Sequence, residues 1–237
     1  VGVIGVKFGD YHSYDDWKLK LKEIEIGSPG AKLVEIDVMG MDGVLDLTEA
    51  VTGSVRYGKR TLRFVFDARN CGYRKWADLI SEISNKIHGK KVRIVLDCDN
   101  EYYYEGRCTV DTSKINDITS EFAITCECYP YKTAVASENG DWLWDPFSFV
   151  NGVIHKKYEF TINSPSQWVG KEIIGYPVSY GVSFTCSSAM DVKFNNVVYS
   201  LPAGSTMLEE IELSDGTNTV YFRGTGTVDV LAKGGSL

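Results

Sequence analysis

The chain has 237 residues, a formal net charge of −7, 43% apolar residues and 12% aromatics. That length exceeds the usual domain of about 100–150 residues, so two domains are expected, with apolar mass enough for two cores. The acidity excludes a general binder of nucleic acid or anionic membrane, since both need concentrated positive charge.

The opening, Val1 to Phe8, has neither the basic start nor the long apolar run of a signal peptide. No stretch approaches the ~20 apolar residues of a membrane helix, so a soluble, cytoplasmically made chain is expected. Trp17, Leu19 and Leu21 alternate with Lys18, Lys20 and Lys22, which predicts a half-buried strand. Ser28-Pro29-Gly30 predicts a turn, with Gly30 taking the positive φ that other residues avoid. Val34, Ile36 and Val38 predict a second alternating strand. Gly40-Met41-Asp42-Gly43 breaks it, and Leu62, Phe64 and Phe66 resume alternation, so residues 40–60 form an excursion from the sheet.

One helix is predicted in this half, over Tyr73–His88, where Tyr73, Trp76, Leu79, Ile80, Ile83 and Ile87 recur at spacings of three and four, with Gly89 ending it. Val92, Ile94, Leu96 and Cys98 predict a strand, Asp99-Asn100-Glu101 its turn, and Tyr102 to Val110 the returning partner. Phe122, Ile124, Cys126 and Cys128 share one face of a further strand. The polar stretch Ser137 to Asp141 suits a domain boundary, placed near residue 132, giving domains 1–132 and 133–237.

Beyond the boundary, strands are expected at Tyr158 to Ile162, Val178 to Phe184, Val192 to Phe194, Val197 to Tyr199, Met207 to Leu213, Thr219 to Phe222 and Thr227 to Leu231. Asn195-Asn196, Asp215-Gly216 and Gly224-Thr225-Gly226 are read as turns between them. Closely spaced short strands predict a β-sandwich or jelly roll, so the fold class is mainly β with one helix in the N-terminal half.

Chemistry-bearing patterns are sparse. Cys71, Cys98, Cys108, Cys126, Cys128 and Cys186 contain no CxxC pair, and buried, reduced thiols are expected. Asp97, Asp99 and Glu101 alternate as a calcium loop does, but the glycine and terminal glutamate of an EF-hand are missing, which leaves a charged hairpin turn. Cys126 and Cys128 share a strand face, where core packing beside Phe122 and Ile124 is more economical than metal binding. His12, His88 and His155 stand apart, and no nucleophile motif or phosphate loop is present. Glu209 and Glu210 are adjacent on an expected strand and so point to opposite faces. No catalytic, cofactor-binding or metal residues are therefore assigned. Trp142, Trp144, Phe147 and Phe149 cluster at the boundary and are expected to bury between domains or subunits.

Taken in order, Ser28-Pro29-Gly30, Lys32, the run Val38 to Thr48, Tyr57-Gly58-Lys59-Arg60 and Leu62 to Phe66 resemble the distal tail protein family of long-tailed phages and prophages. Trp76, Ile87-His88-Gly89-Lys90, the Asp97 to Tyr104 hairpin, Gly106-Arg107 and Cys128 to Lys132 extend the likeness over roughly residues 9–132. The C-terminal half is similar through its strand pattern and its ending, Gly224 to Val230. The resemblance implies an N-terminal β-sandwich-like belt domain that assembles, usually as a hexamer, into a ring joining the tail tube to the baseplate or tail-tip complex. It also implies a C-terminal galectin-like β-sandwich (jelly roll).

The expected function is a structural, non-enzymatic subunit of the virion tail tip, without cofactor, specific nucleic-acid binding or membrane insertion. Its expected partners are itself, the tail tube protein, and baseplate or receptor-binding proteins. Gly40, Asp42, Gly43, Tyr57 and Arg60 are the candidate subunit-interface residues, because they lie in the excursion from the sheet. The net negative charge would let DNA pass a ring without sticking, because it denies the counterion release that drives phosphate binding. The alternative reading is a carbohydrate-binding module for host adhesion, which rests on analogy with the sandwich fold alone.

Overall fold

The computed structural model describes residues 4–50, 55–68, 72–114, 120–139 and 157–237. The contacts divide it into two compact units. One comprises Val1–Cys98 and Tyr104–Pro130, the other Asp99–Tyr103 and Tyr131–Leu237.

The first unit holds strands β1 (Val6–Phe8), β2 (Tyr11–His12), β3 (Lys20–Ile26), β4 (Glu35–Ile36), β5 (Leu45–Asp46), β6 (Arg60–Asp67), β7 (Lys91–Leu96) and β9 (Ser120–Cys128), with helix α1 (Tyr73–Ile87) after β6. It also holds most of β8 (Asp99–Lys114), which begins in the second unit. The sheet runs in the order β3-β6-β9-β8-β7-β1-β2, with β4 and β5 apart as a separate ribbon.

Alternation drives this packing. Leu62, Phe64 and Phe66 of β6 face Cys126, Ile124 and Phe122 of β9 in register, and all six side chains are buried. Phe8 meets Phe64 edge-on at 5.6 Å, the arrangement that ring quadrupoles favour. Each such fully buried ring contributes about 1.5–3 kcal/mol. Helix α1 closes the core with Ile83 and Ile87, while Trp76, Leu79 and Ile80 pack against it half-buried. His88 caps the helix, donating its N–H to Ser84 O at 2.9 Å, and Gly89 at φ +72° turns the chain away.

Several sequence expectations are displaced in this unit. The strand expected from Trp17 begins only at Lys20, because Lys18 takes φ +55° and breaks the extended run. Trp17 and Leu19 are buried all the same, through the turn rather than through alternation. Ser28-Pro29-Gly30 is an open connection in which Gly30 has no positive φ; its carbonyl instead accepts the N–H of Gly58 at 2.8 Å. The strand expected at Val34–Val38 shrinks to β4, and those apolar residues are exposed rather than buried. The hairpin turn falls on Asp97-Cys98, two residues earlier than expected, since Asp99 already belongs to β8. Cys98 is therefore exposed, whereas Cys108, Cys126, Cys128 and Cys186 are buried and free.

The second unit holds β10 (Lys132–Ala134), α2 (Ala136–Asn139), β11 (Tyr158–Gly175), β12 (Val178–Cys186), β13 (Met190–Phe194), β14 (Val197–Leu201), β15 (Gly204–Leu208) and β16 (Gly216–Ser236). β16 is its spine. It pairs with β11 along most of its length, and with β13, β12 and β10 in turn. Its inward residues Val220, Phe222, Val228 and Val230 join Ile162, Ile173, Phe184 and Val192 in one core.

Three expectations change here. Polar residues 137–139 lie in the short helix α2 rather than in a turn. The strand expected over Met207–Leu213 stops at Leu208, so Glu209 and Glu210 sit exposed in a turn, while Ile211 and Leu213 still reach the core. Gly224-Thr225-Gly226 is no turn at all. Gly224 and Gly226 adopt φ +147° and +142°, which keeps β16 extended past residues that would crowd a side chain: a Cβ on Gly224 would meet Met190 Cβ at 2.7 Å. Asn195 and Asn196, at φ 47° and 64°, do form the expected hairpin turn between β13 and β14, the type I′ geometry that matches strand twist.

Candidate subunit interface

The ribbon β4–β5 stands out by chemistry. Glu35 pairs with Asp46 and Ile36 with Leu45. Leu47 donates its N–H to Val34 O at 2.8 Å and Lys32 its N–H to Arg56 O at 2.8 Å, while Ala31 bridges Tyr57. Thr48 closes the turn-like end: its hydroxyl accepts the Val34 N–H at 3.0 Å, and its own N–H donates to Asp46 Oδ1 at 2.9 Å. The hydrogen bonds from Thr48, side chain first, hold the Asp46 carboxyl below its ordinary pKa, so the cap favours the charged form.

This ribbon has no core of its own. Leu33, Val34, Ile36, Val38, Met39, Met41, Val44 and Leu45 are all exposed, with Leu33 at 60% and Met39 wholly open. Residues that follow one another, such as Leu33 with Val34 and Val44 with Leu45, put apolar surface on both faces. An isolated two-stranded hairpin is marginal in water, and a contiguous apolar patch marks an interaction surface.

The sequence-chosen residues fall unevenly on this arm. Gly40 and Gly43 sit at its tip with φ +87° and +79°, and a Cβ added at either would have no atom within 4 Å, so they shape the turn and keep it open. Asp42 between them is exposed. Tyr57 is half-buried at the base, on the bridge to Ala31. Arg60 is different: it is buried at the start of β6, with its guanidinium 5.6 Å from the centre of the Tyr104 ring. Its Nε finds no hydrogen-bond partner among the described residues. Arg60 thus supports the foot of the arm from inside the unit. Trp142, Trp144, Phe147 and Phe149 lie outside the described residues.

The arm's apolar exposure escapes sequence reasoning because Val34, Ile36 and Val38 alternate like a half-buried strand. The missed signal is the apolar residues flanking them and beside the glycines, Leu33, Met39, Met41 and Val44, which add apolar surface beyond the face that Val34, Ile36 and Val38 share.

Elsewhere in this unit, a recess of about 230 Å³ is lined by Lys59, Lys91, Glu105, Arg107, Glu127 and Tyr129. Its charges are already matched. Lys59 pairs with Glu127 at 2.7 Å and Lys91 with Glu105 at 2.9 Å, while Arg107 donates to Gly89 O at 2.8 Å. Hydrogen bonding to Glu105 raises the Lys91 pKa. Among the described residues no cluster of His, Cys, Asp and Glu is placed to hold a metal ion, and no helix is long and apolar enough to cross a membrane.

No family model matches the chain, and no curated protein matches it by sequence. Its structure is similar to that of Dit from phage SPP1, described as a paradigm of the hub of the adsorption apparatus in phages infecting Gram-positive bacteria. The likeness has a TM-score of 0.66 at 12% identity and covers 100% of both chains. The chain has the fold of a phage distal tail protein. In this distal tail fold the ribbon β4–β5 and the sheet it leaves belong to the first unit, and the spine strand β16 to the second. At so low an identity the likeness lies in the path of the backbone, and the arm's apolar chemistry is read from this chain's own residues.

Proposed function

We propose that this chain is a structural subunit of the distal tail of a long-tailed phage or prophage. It assembles with copies of itself, six-fold, into a ring that connects the tail tube to the baseplate or tail-tip complex. The first unit forms the belt of that ring, and the second is a galectin-like sandwich carried by it.

The observation that carries this reading is the apolar arm of residues 31–50, exposed on both faces in a fold similar over its full length to a tail hub protein. A surface of this kind is covered by protein in the working assembly. In a cyclic ring each subunit offers one patch and receives another, so a single arm per chain closes every contact. Gly40, Asp42 and Gly43 at the tip, and Tyr57 at the base, would then lie in the subunit contact, with Arg60 holding its foot. Net acidity suits a ring through which DNA passes, because like charge offers phosphates no counterion release.

Negative-stain electron microscopy across a concentration series tests the reading. Six-fold rings with a central hole are expected, and they should vanish when Ile36 and Met39 are both replaced by Glu. Monomers at every concentration, with the arm cleaved by protease equally fast throughout, would overturn it.

A further inference from the structure

The outer face of the second unit carries an aromatic and cationic ladder that the ring reading does not use. Val192 and Phe222 pair across β13 and β16 and point into the core, so their neighbours point outward. Those neighbours face each other in register: Asp191 opposite Arg223, and Lys193 opposite Tyr221. On the far side of β16, Val169 pairs with Phe222 and Gly170 with Tyr221, which puts Trp168 on the same outer face.

The side chains converge on Trp168. The Arg223 guanidinium lies 4.6 Å and Lys193 Nζ 4.9 Å from its ring centre, and Lys193 Nζ lies 5.0 Å from that of Tyr221. Arg223 is fixed from one side, donating from Nη2 to Asp191 Oδ2 at 2.6 Å, while Asp191 Oδ1 accepts from the Ser200 hydroxyl at 3.0 Å. Lys193 differs from Arg223: among the described residues it has no carboxylate partner. Gly170 lets the Tyr221 ring lie along the sheet, since a Cβ there would meet Tyr221 Cε1 at 3.2 Å.

Aromatic faces on a flat sheet stack on the C–H faces of pyranose rings, and a polar rim of Arg, Asp and Ser hydrogen-bonds hydroxyls. A lysine with no carboxylate partner among the described residues adds a preference for negative charge, on a chain of net charge −7. We infer that Trp168, Tyr221, Lys193 and Arg223 form a binding face for a sugar polymer bearing anionic groups. Trp168 and Tyr221 stack on the rings, Lys193 swings to the anionic group, and Arg223, oriented by Asp191, bonds to hydroxyls or to the same group. The inference does not depend on ring assembly.

Affinity electrophoresis of the full chain tests it, with polygalacturonate, phosphomannan, dextran and inorganic polyphosphate each cast in the gel. Retardation by at least one of the two charged glycans is expected, polygalacturonate and phosphomannan separating carboxylate from phosphate recognition, and dextran should retard the chain little. Trp168→Ala and Lys193→Gln should each weaken retardation about tenfold. Lys193→Gln serves as the variant that leaves packing intact, checked by an unchanged melting curve. No retardation by either charged glycan, equal retardation by dextran, or retardation by polyphosphate that Trp168→Ala leaves unaltered would each overturn the inference.

Discussion

His12 Nε2 lies 3.2 Å from Asp97 Oδ2, joining residues 85 apart in the chain. The same Asp97 oxygen accepts the Gly5 N–H at 2.7 Å, and Ser13 Oγ accepts the Val6 N–H at 3.0 Å, so β1 is tied to the turn after β7 by side chains as well as by its ladder. Asp97→Ala leaves the part-buried Gly5 N–H without its acceptor and is expected to cost about 1–3 kcal/mol. Gly5→Ala would place a Cβ 2.5 Å from His12 Cε1 and displace the same ring. Because both changes break one clasp, their costs should fall short of additive in a double mutant, read from urea midpoints.

The apolar arm yields a separation of stability from assembly. Ile36→Glu and Met39→Glu alter exposed side chains outside both cores, so the monomer's urea midpoint should move by less than about 0.5 kcal/mol equivalent. Self-association, followed by light scattering after size exclusion, should fall in the same variants.

Arg60 is buried with its guanidinium over the Tyr104 ring, while its Nε lacks a partner among the described residues. Arg60→Met keeps the packing and removes the buried charge, and is expected to be neutral or stabilising. Arg60→Ala removes both and should cost about 2–3 kcal/mol, a contrast that chemical denaturation resolves.

Burial pushes the Cys128 thiol up to about 12, with the neighbouring Cys108 adding to the rise and Arg60 opposing it, and burial drives Cys126 upward too. In the native protein Cys98 should alkylate readily at pH 8 while Cys108, Cys126 and Cys128 stay intact, as peptide mapping by mass spectrometry will show. Above the ordinary thiol value of 9.0 the unfolded chain releases protons that the folded chain retains, so stability should fall as pH rises from there toward 12.

Much of the fold is legible in the sequence alone. Strict alternation at Leu62, Phe64 and Phe66 and at Phe122 to Cys128, and the three-and-four spacing ending at Gly89, each agree with what packing requires, so local and global preferences coincide. Failures arise where the backbone, rather than hydrophobicity, decides. Lys18 at positive φ hides the start of β3, and Gly224 and Gly226 read as turn residues although their φ values serve an extended strand. The arm is visible as an excursion, but its exposure is not, because alternation says which face is apolar and not whether anything covers it. The Trp168 face is illegible for another reason: its members come from three strands and meet only through register.

Strand β8 gives its first five residues, Asp99–Tyr103, to the unit otherwise built from Tyr131 onward. There Tyr103 pairs with Thr133 and Tyr102 with Ala134, and Lys132 reaches Asp99 at 2.7 Å. During synthesis this segment leaves the ribosome well before the strands that complete its unit. Its partner β10 follows soon after, but β10's other neighbour, the last stretch of β16, is translated only after the rest of the unit. A fragment that starts at Tyr131 would lack it altogether, with β10 then missing a hydrogen-bonded neighbour. The gene therefore cannot be cut cleanly between its halves, and recombination that exchanges the C-terminal half alone would have to bring in a compatible Asp99–Tyr103.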